Sequence, residues 1–259
     1  MTTEWQDLLR PVTLGTKGIR KGPLVRWYST NTFYFVPVIT GDILSNGAKF
    51  GGIAQRKEGE SFKVTIPDPL TFADCSDDEH YGSREKVIFA YCDGFLKPEM
   101  TRLERAGVRY VQFSAPSLVA RGRNKEVPKD ELRQAGEGLR SALHGTNLQS
   151  GYHTYFGDAS PCFKDMLDLI PTNDIGVDLT ETDASKLDDG KKGLIAGVVD
   201  SRSSYVETVA DIDRRLGSLR DKFRRVILAP SCDLQYVPRA VADIKMKNLA
   251  EAKERLQSD

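Results

Sequence analysis

The chain has 259 residues, 39% of them hydrophobic, and its 37 Lys and Arg are balanced by 37 Asp and Glu. Zero formal net charge argues against nucleic acid as a main partner, because phosphate binding needs an excess of Lys and Arg. No run of 18 apolar residues occurs, and the N-terminus lacks a signal-peptide pattern, so we expect a cytoplasmic protein without a membrane span. The length fits one domain over residues 1–259.

Eight short runs of apolar or β-branched residues are spread along the chain. Strands that are buried on both faces show such continuous runs. The predicted strands cover residues 12–15, 32–39, 62–66, 108–113, 151–156, 175–179, 194–199 and 226–229.

Segments of helical length and mixed polarity separate most of these strands. Helices are predicted over residues 86–106, 130–144, 205–223 and 240–256. Eight strands alternating with helices are typical of an α/β fold of the (β/α)8 TIM-barrel type. The glycine-rich stretch 18–61 leaves little room for helices, so we expect a reduced helix layer near the first two strands, with a hairpin or loop over 41–61.

Chemistry in a parallel barrel is concentrated at the carboxyl ends of the strands. The polar residues at the predicted ends form the candidate list, and His153 lies within the fifth predicted strand. The list is Thr16, Lys17, Thr40, Asp68, Ser114, Tyr155, Asp178, Glu181, Asp200, Arg202, Cys232 and Asp233. His153, Glu181 and Cys232 are residue types that zinc accepts, and they come from different strand ends.

Two motifs resemble a known family. They are Arg26-Trp-Tyr-Ser-Thr-Asn-Thr-Phe-Tyr-Phe-Val-Pro-Val-Ile39 and Val226-Ile-Leu-Ala-Pro-Ser-Cys-Asp-Leu234. Together they are similar to the amino-terminal barrel of cobalamin-independent methionine synthase. Counterparts of all eight strands follow in order over residues 12–249. The resemblance implies a barrel fold and a place in methyl transfer to homocysteine.

The family's zinc ligands are only partly present. His153-Thr-Tyr155 stands where the catalytic barrel of the family has His-x-Cys, so Tyr155 replaces a ligand. Glu181 lies about two residues beyond the position of the family's glutamate ligand. A cysteine at the position of Cys232 also occurs in the amino-terminal barrel of the family, which holds no metal. The resemblance therefore favours no cofactor here and keeps zinc at His153, Glu181 and Cys232 as an alternative.

A carboxylate motif of the family is also missing. After the fourth strand the family has Gln-Ile-Asp-Glu-Pro, whereas this chain has Gln112-Phe-Ser-Ala-Pro116. In the family such an acid helps to hold the amino group of homocysteine, and a buried amine without a carboxylate would be costly. We therefore expect that this chain does not bind homocysteine by the family's route.

The basic residues of the family's folate-binding side are retained. In the family, basic residues after the first strand bind the polyglutamate tail of the methyl-folate donor. The resemblance places this role on Lys17, Arg20, Lys21 and Arg26, beside Trp27. The Asp200 turn with Arg202 resembles a further turn of the amino-terminal barrel, and Asp200 is expected to order Arg202.

Three functions follow from these motifs. The first is a stand-alone amino-terminal component that binds the methyl-tetrahydropterin polyglutamate and works with a separate zinc-bearing catalytic chain. The second is an independent zinc-dependent methyltransferase, and the third is a non-catalytic scaffold or regulatory partner. Whether the chain is an enzyme by itself stays open at this point, because fold analogy does not decide function.

Overall fold

Six parallel strands form the main sheet of the computed structural model, which describes residues 7–50, 62–120, 129–187 and 190–258. The strands lie side by side in the order in which they occur along the chain. They are β3 (Lys63–Pro67), β5 (Tyr110–Ser114), β6 (Gln149–His153), β7 (Asp174–Asp178), β8 (Gly193–Val199) and β9 (Val226–Pro230). All six were predicted from their apolar runs, and the α/β class with a parallel sheet is confirmed.

The two faces of this sheet differ in chemistry. One row across it contains large apolar side chains, including Ile66, Phe113 and Tyr152, all fully buried. The opposite face contains polar side chains and glycines in register with one another: Gln112 pairs with Gly151, and His153 with Gly176. The glycines make room for neighbouring side chains, since a Cβ on Gly176 would lie 2.7 Å from Cδ2 of His153.

Helices follow most of the parallel strands, as the alternating pattern predicts. They are α1 (Arg10–Leu14), α2 (Pro69–Asp74), α3 (Arg84–Tyr91), α4 (Lys97–Arg105), α5 (Ser117–Ala120), α6 (Lys129–Leu143), α7 (Phe163–Leu169), α8 (Val209–Leu216), α9 (Leu219–Lys222) and α10 (Arg239–Ser258). A π-helical turn, Cys92–Leu96, joins α3 to α4, so the helix predicted over 86–106 is one continuous stretch with a bulge. The helix predicted over 205–223 begins later, at a capping box of Thr208 and Asp211.

The first quarter of the chain departs from the predicted barrel. Residues 12–15 form most of α1 and its C-cap, because Pro11 begins a helical turn there. Two long strands follow, β1 (Thr16–Arg26) and β2 (Phe33–Ser45), and they pair antiparallel as a hairpin. A short strand, β4 (Asp77–Asp78), adds to β2 in parallel. Within the described residues the main sheet is not seen to close, and β3 and β9 are its edges.

The sequence did not indicate β1 because most of this strand is exposed. Its burial alternates irregularly, and two register shifts interrupt its pairing with β2. Prediction from apolar runs detects buried strands and passes over exposed ones. The reduced helix layer was expected, and residues 16–50 contain no helix. The rest of the stretch 41–61, from residue 51 onward, lies outside the described residues.

The hairpin packs against the helical stretch 84–105. A Cβ on Gly94 would lie only 1.8 Å from the carbonyl oxygen of Ile43, so the π-helical turn brings backbone against backbone. Glu99, of which only 1% is exposed, accepts hydrogen bonds from the Ala48 amide at 3.2 Å and from the Ser45 hydroxyl. A buried carboxylate thus joins the end of β2 to α4.

Candidate functional site

The turn of the hairpin meets the carboxyl edge of the parallel sheet in a group of aromatic rings. We call this group the aromatic cluster: Trp27, Tyr28, Tyr34, Tyr155, Phe156 and Tyr236. Trp27 contacts Tyr28 edge-on at 4.7 Å, and Tyr28 contacts Phe156 at 5.7 Å between ring centroids. The Arg26-Trp27 and Tyr155-Phe156 motifs, far apart in the sequence, are therefore neighbours in space.

Two members of the aromatic cluster have a left-handed backbone. Tyr28 has φ 47° and Phe156 has φ 74°, a conformation that costs non-glycine residues of order 1–3 kcal/mol. The hydroxyl of Tyr28 lies 2.6 Å from that of Ser117, which fixes the strained turn to the segment after β5. Such strain persists where the surroundings enforce it, and it is concentrated at functional sites.

A narrow cleft opens beside the aromatic cluster. Its lining combines rings with two carboxylates. The residues are Asp7, Leu8, Trp27, Thr32, Phe33, Tyr34, Tyr155, Asp233 and Gln235. A lining that combines apolar rings with a few polar groups is typical of sites that contact small molecules.

The four predicted tail-binding cations all lie on β1 and are exposed. An extended strand rises by about 3.3 Å per residue, so Lys17 and Arg26 are about 30 Å apart and form a row, not a cluster at one point. Arg20 is engaged with Glu79 at 2.9 Å, and the Lys21 ammonium lies 3.4 Å from the centre of the Phe35 ring. Arg26 ends the row, directly before Trp27.

Arg202 connects the aromatic cluster to the end of β7. Its guanidinium donates to Glu181 at 2.5 Å and lies 5.4 Å from the centre of the Phe156 ring. Asp200 accepts a hydrogen bond from the Arg202 amide at 2.8 Å, which is the ordering that was expected of it. Nearby carboxylates raise the pKa of Arg202, so this cation is permanent.

The zinc alternative does not fit the geometry. Across residues 7–50, 62–120, 129–187 and 190–258, no three His, Cys, Asp or Glu side chains converge as a metal site. Glu181 is bonded to Arg202, and burial raises the pKa of the Cys232 thiol to about 12. His153, Glu181 and Cys232 thus lie in three separate environments.

His153 lies on the polar face of the sheet, in a chain of hydrogen bonds. The Lys63 ammonium donates to Gln112 Oε1 at 2.8 Å, and Gln112 Nε2 lies 3.2 Å from His153 Nδ1. Burial, together with the nearby Lys63 charge, lowers the pKa of His153 to about 3, so the ring is neutral at pH 7.

Lys63 and Asp233 are both in contact with solvent and yet closely surrounded by protein. Each is exposed by surface area. Loss of hydration nevertheless lowers the pKa of Lys63 and raises that of Asp233, while the two opposite charges partly offset each other's shift. Both facts hold for side chains that line a concavity, where water is present but restricted. Lys63 was not predicted as a site residue, although a lysine in an apolar run was a usable signal.

Ser114 and Tyr155 contact each other, and at both positions this chain differs from the motifs of the resembled family. The hydroxyls of Ser114 and Tyr155 are 2.7 Å apart, and both side chains are buried. A hydroxyl pair therefore occupies the positions that the family's pattern gives to a carboxylate and a cysteine. The two replacements are chemically matched, because each hydroxyl satisfies the other.

The chain is similar to proteins of one known family. The profile of the family described as "Cobalamin-independent synthase, N-terminal domain" matches residues 4–224. A methionine synthase of Sulfurisphaera tokodaii is 26% identical over 197 residues, covering 74% of this chain and 56% of that protein. The 5-methyltetrahydropteroyltriglutamate–homocysteine methyltransferase of Lactococcus lactis is 28% identical over 234 residues, covering 85% of this chain and 29% of its own length. The chain thus spans about half of the first relative and under a third of the second.

Solved structures share the fold. A B12-independent methionine synthase from a Shewanella species superposes with a TM-score of 0.75 at 20% identity, covering 95% of this chain and 79% of that one. A methyltransferase from Methanosarcina mazei gives a TM-score of 0.63 at 12% identity, covering 96% and 77%. No helix within the described residues is long and apolar enough to cross a membrane.

Proposed function

We propose, since the chain belongs to the family of cobalamin-independent synthase N-terminal domains, that it binds the polyglutamate tail of a methyl-tetrahydropterin donor. The observation that carries this proposal is the row of exposed cations on β1, which ends beside the aromatic cluster. A linear polyanion matches a linear row of cations, and a flat ring matches an aromatic wall. The Lactococcus lactis relative is named for a triglutamate substrate, which supports a donor of this class.

The second part of the proposal concerns the catalytic metal. Methyl transfer to homocysteine needs a thiolate, and zinc supplies one by lowering the pKa of the thiol. The described residues offer no zinc site, and Ser114 and Tyr155 replace family side chains. We therefore assign the zinc to a separate catalytic chain with which this protein cooperates in the cytoplasm.

The third part concerns the complete architecture. Six sequential parallel strands form the sheet, and Lys63 on the edge strand β3 and Asp233 after the other edge strand, β9, influence each other's pKa. This supports a TIM barrel over residues 1–259 in which the β1–β2 hairpin takes the place of the first two strands and their helices.

Titration with methyl-tetrahydropteroyl triglutamate and monoglutamate tests the tail site. We expect the triglutamate to bind more tightly and its affinity to fall as salt rises. Replacing Arg20, Lys21 and Arg26 together with Gln should weaken triglutamate binding about tenfold or more and flatten the salt dependence, with Arg26 contributing most because Arg20 already has Glu79 as a partner.

A matched variant replaces the exposed Lys164, Lys247 and Lys253 with Gln and removes the same charge elsewhere. It should bind the triglutamate as the unaltered protein does. Equal affinity of the β1 variant and this control at low salt would contradict the tail site.

The apolar surface of the hairpin favours a second candidate, a scaffold that only stabilises a partner chain. Leu24 is 55% exposed and Phe33 43%, an unusual exposure for such residues in one hairpin. If this protein forms a complex with a catalytic chain but binds no pterin, the scaffold function is supported over tail binding.

A further inference from the structure

The direction of each hydrogen bond in the Lys63–Gln112–His153 chain is fixed by its first member. A lysine ammonium can only donate, so the Gln112 atom that faces it is the amide oxygen. The amide NH2 therefore faces His153 and donates to Nδ1. A neutral imidazole that accepts at Nδ1 carries its proton on Nε2.

This proton arrangement accounts for the poor fit of a metal at His153. Coordination through Nε2 would require the proton to move to Nδ1. Gln112 would then have to turn its NH2 group toward the Lys63 ammonium, which places two donors against each other. Metal-binding histidines in proteins instead donate from the second nitrogen to a carboxylate or carbonyl.

The Nε2–H group of His153 is a buried donor without an acceptor. Only 3% of the residue is exposed, and Nε2 has no partner among the described residues. The ring has little room to turn, because its Cδ2 atom lies so close to Gly176 that an added Cβ there would be 2.7 Å away. A donor that the fold holds rigidly and leaves unsatisfied points to an acceptor supplied from outside.

Charged groups around this donor indicate which acceptor suits it. Lys63 keeps solvent contact and has ammonium hydrogens beyond the one given to Gln112. Asp233 lines the cleft next to Tyr155, whose ring lies 5.8 Å from that of His153. Lys63 and Asp233 influence each other's pKa, but no direct ion pair joins them in the described structure, and both side chains keep solvent contact.

We propose that Lys63, His153 and Asp233 bind a small hydroxycarboxylate on the polar face of the parallel sheet. Its carboxylate receives hydrogen bonds from the Lys63 ammonium and from His153 Nε2–H, and its hydroxyl donates to Asp233. Gln112 is a positioning residue that holds the histidine in the donating tautomer. This site is independent of the β1 cations.

Nitrogen NMR of the 15N-labelled protein tests the tautomer directly. His153→Gln identifies the His153 signals among those of the three histidines. At pH 7 we expect the proton on Nε2, and Gln112→Glu should move it to Nδ1, because a carboxylate accepts where the amide donates. A proton on Nδ1 in the unaltered protein would overturn the proposal.

Titration with glycolate, acetate and inorganic phosphate, followed at the His153 Nε2–H signal, tests the site. Glycolate should give a saturable shift and bind more tightly than acetate, and Asp233→Asn should reduce that difference, because an amide oxygen is a weaker acceptor than a carboxylate. Lys63→Met should weaken glycolate binding about tenfold, the loss of one charge-assisted hydrogen bond, whereas Lys63→Arg should retain most of it and Lys164→Met all of it.

Circular dichroism of each variant separates lost binding from lost folding. If Lys63→Met does not fold, the comparison of Asp233→Asn with the unaltered protein still decides the case. An Nε2–H signal that responds to none of the three probes would mean that only a water molecule accepts this proton, and the hydroxycarboxylate site would be wrong.

Discussion

The neutral state of His153 predicts a particular response of stability to pH. Its pKa is about 3 in the folded protein against 6.5 for a free histidine, so the unfolded chain takes up a proton first as pH falls. Stability from this group is complete above pH 6.5 and is lost as pH falls from there toward 3. Between pH 7 and pH 5 the unaltered protein should lose about 2 kcal/mol more unfolding free energy than His153→Gln.

Urea unfolding of both proteins at the two pH values measures this difference. Asp68 acts in the opposite direction, since burial raises its pKa to about 6 and its stabilising effect is lost as pH rises from about 4 to 6. Asp68 is present in both proteins, so its contribution cancels in the comparison. Equal pH dependence in the two proteins would show that folding does not lower the pKa of His153.

The Ser114–Tyr155 hydroxyl pair predicts a non-additive mutant cycle. Tyr155→Phe leaves the buried Ser114 hydroxyl without this partner, and Ser114→Ala does the same to Tyr155, so each should cost about 1–3 kcal/mol. The double variant removes both groups and should cost clearly less than the sum of the two single changes. Denaturant unfolding of the four proteins gives the coupling free energy between the two hydroxyls. Additive changes in unfolding free energy would show that the two hydroxyls do not stabilise each other.

The contact of the π-helical turn with β2 depends on one glycine. Gly94→Ala would place a methyl group against the Ile43 carbonyl, so the helix and the hairpin must separate, and we expect a loss of about 1–3 kcal/mol. Gly41→Ala is a suitable control, because its Cβ would meet only the Gly18 Cα at 3.6 Å. Thermal unfolding compares them, and equal melting temperatures would show that the hairpin is held elsewhere.

The sequence predicts those elements whose apolar pattern is continuous. The parallel strands and the helix over 129–143 are predictable because their buried positions are occupied by apolar residues in a regular local pattern. The β1–β2 hairpin could not be predicted in this way, because β1 is mostly exposed and its pairing with β2 depends on tertiary contacts. A run such as residues 12–15 is too short for its apolar content to distinguish a strand from a helical turn.

The site is less predictable than the fold, for a physical reason. Arg26, Trp27 and Arg202 were found through motifs, and their surroundings are now visible. The left-handed backbone of Tyr28 and Phe156 has no signal in residue type, since neither is a residue that favours positive φ. The Lys63–Gln112 bond joins two strands and depends on register, which one sequence does not reveal.

At the scale of the whole molecule, we predict that the protein depends on a second chain for methyl transfer. Purified and supplied with zinc, it should hold no stoichiometric metal and should not methylate homocysteine from a methyl-pterin donor. Cys232→Ser should leave pterin binding intact and reduce stability by about 1 kcal/mol, the effect of a small buried side chain. Elemental analysis and a turnover assay check both points, and metal that disappears in the Cys232 variant would restore the zinc alternative.

The β1–β2 hairpin also sets an order of events in folding. Its strands adjoin in the chain and need only a short turn, and hairpins form in roughly 1–10 μs. The parallel pairs join segments separated by whole helices, so they form later, after larger loops have closed. The Tyr28–Phe156 contact forms only when the hairpin reaches the carboxyl edge of that sheet. Trp27 packs against Tyr28, so we expect its fluorescence to report this late docking step.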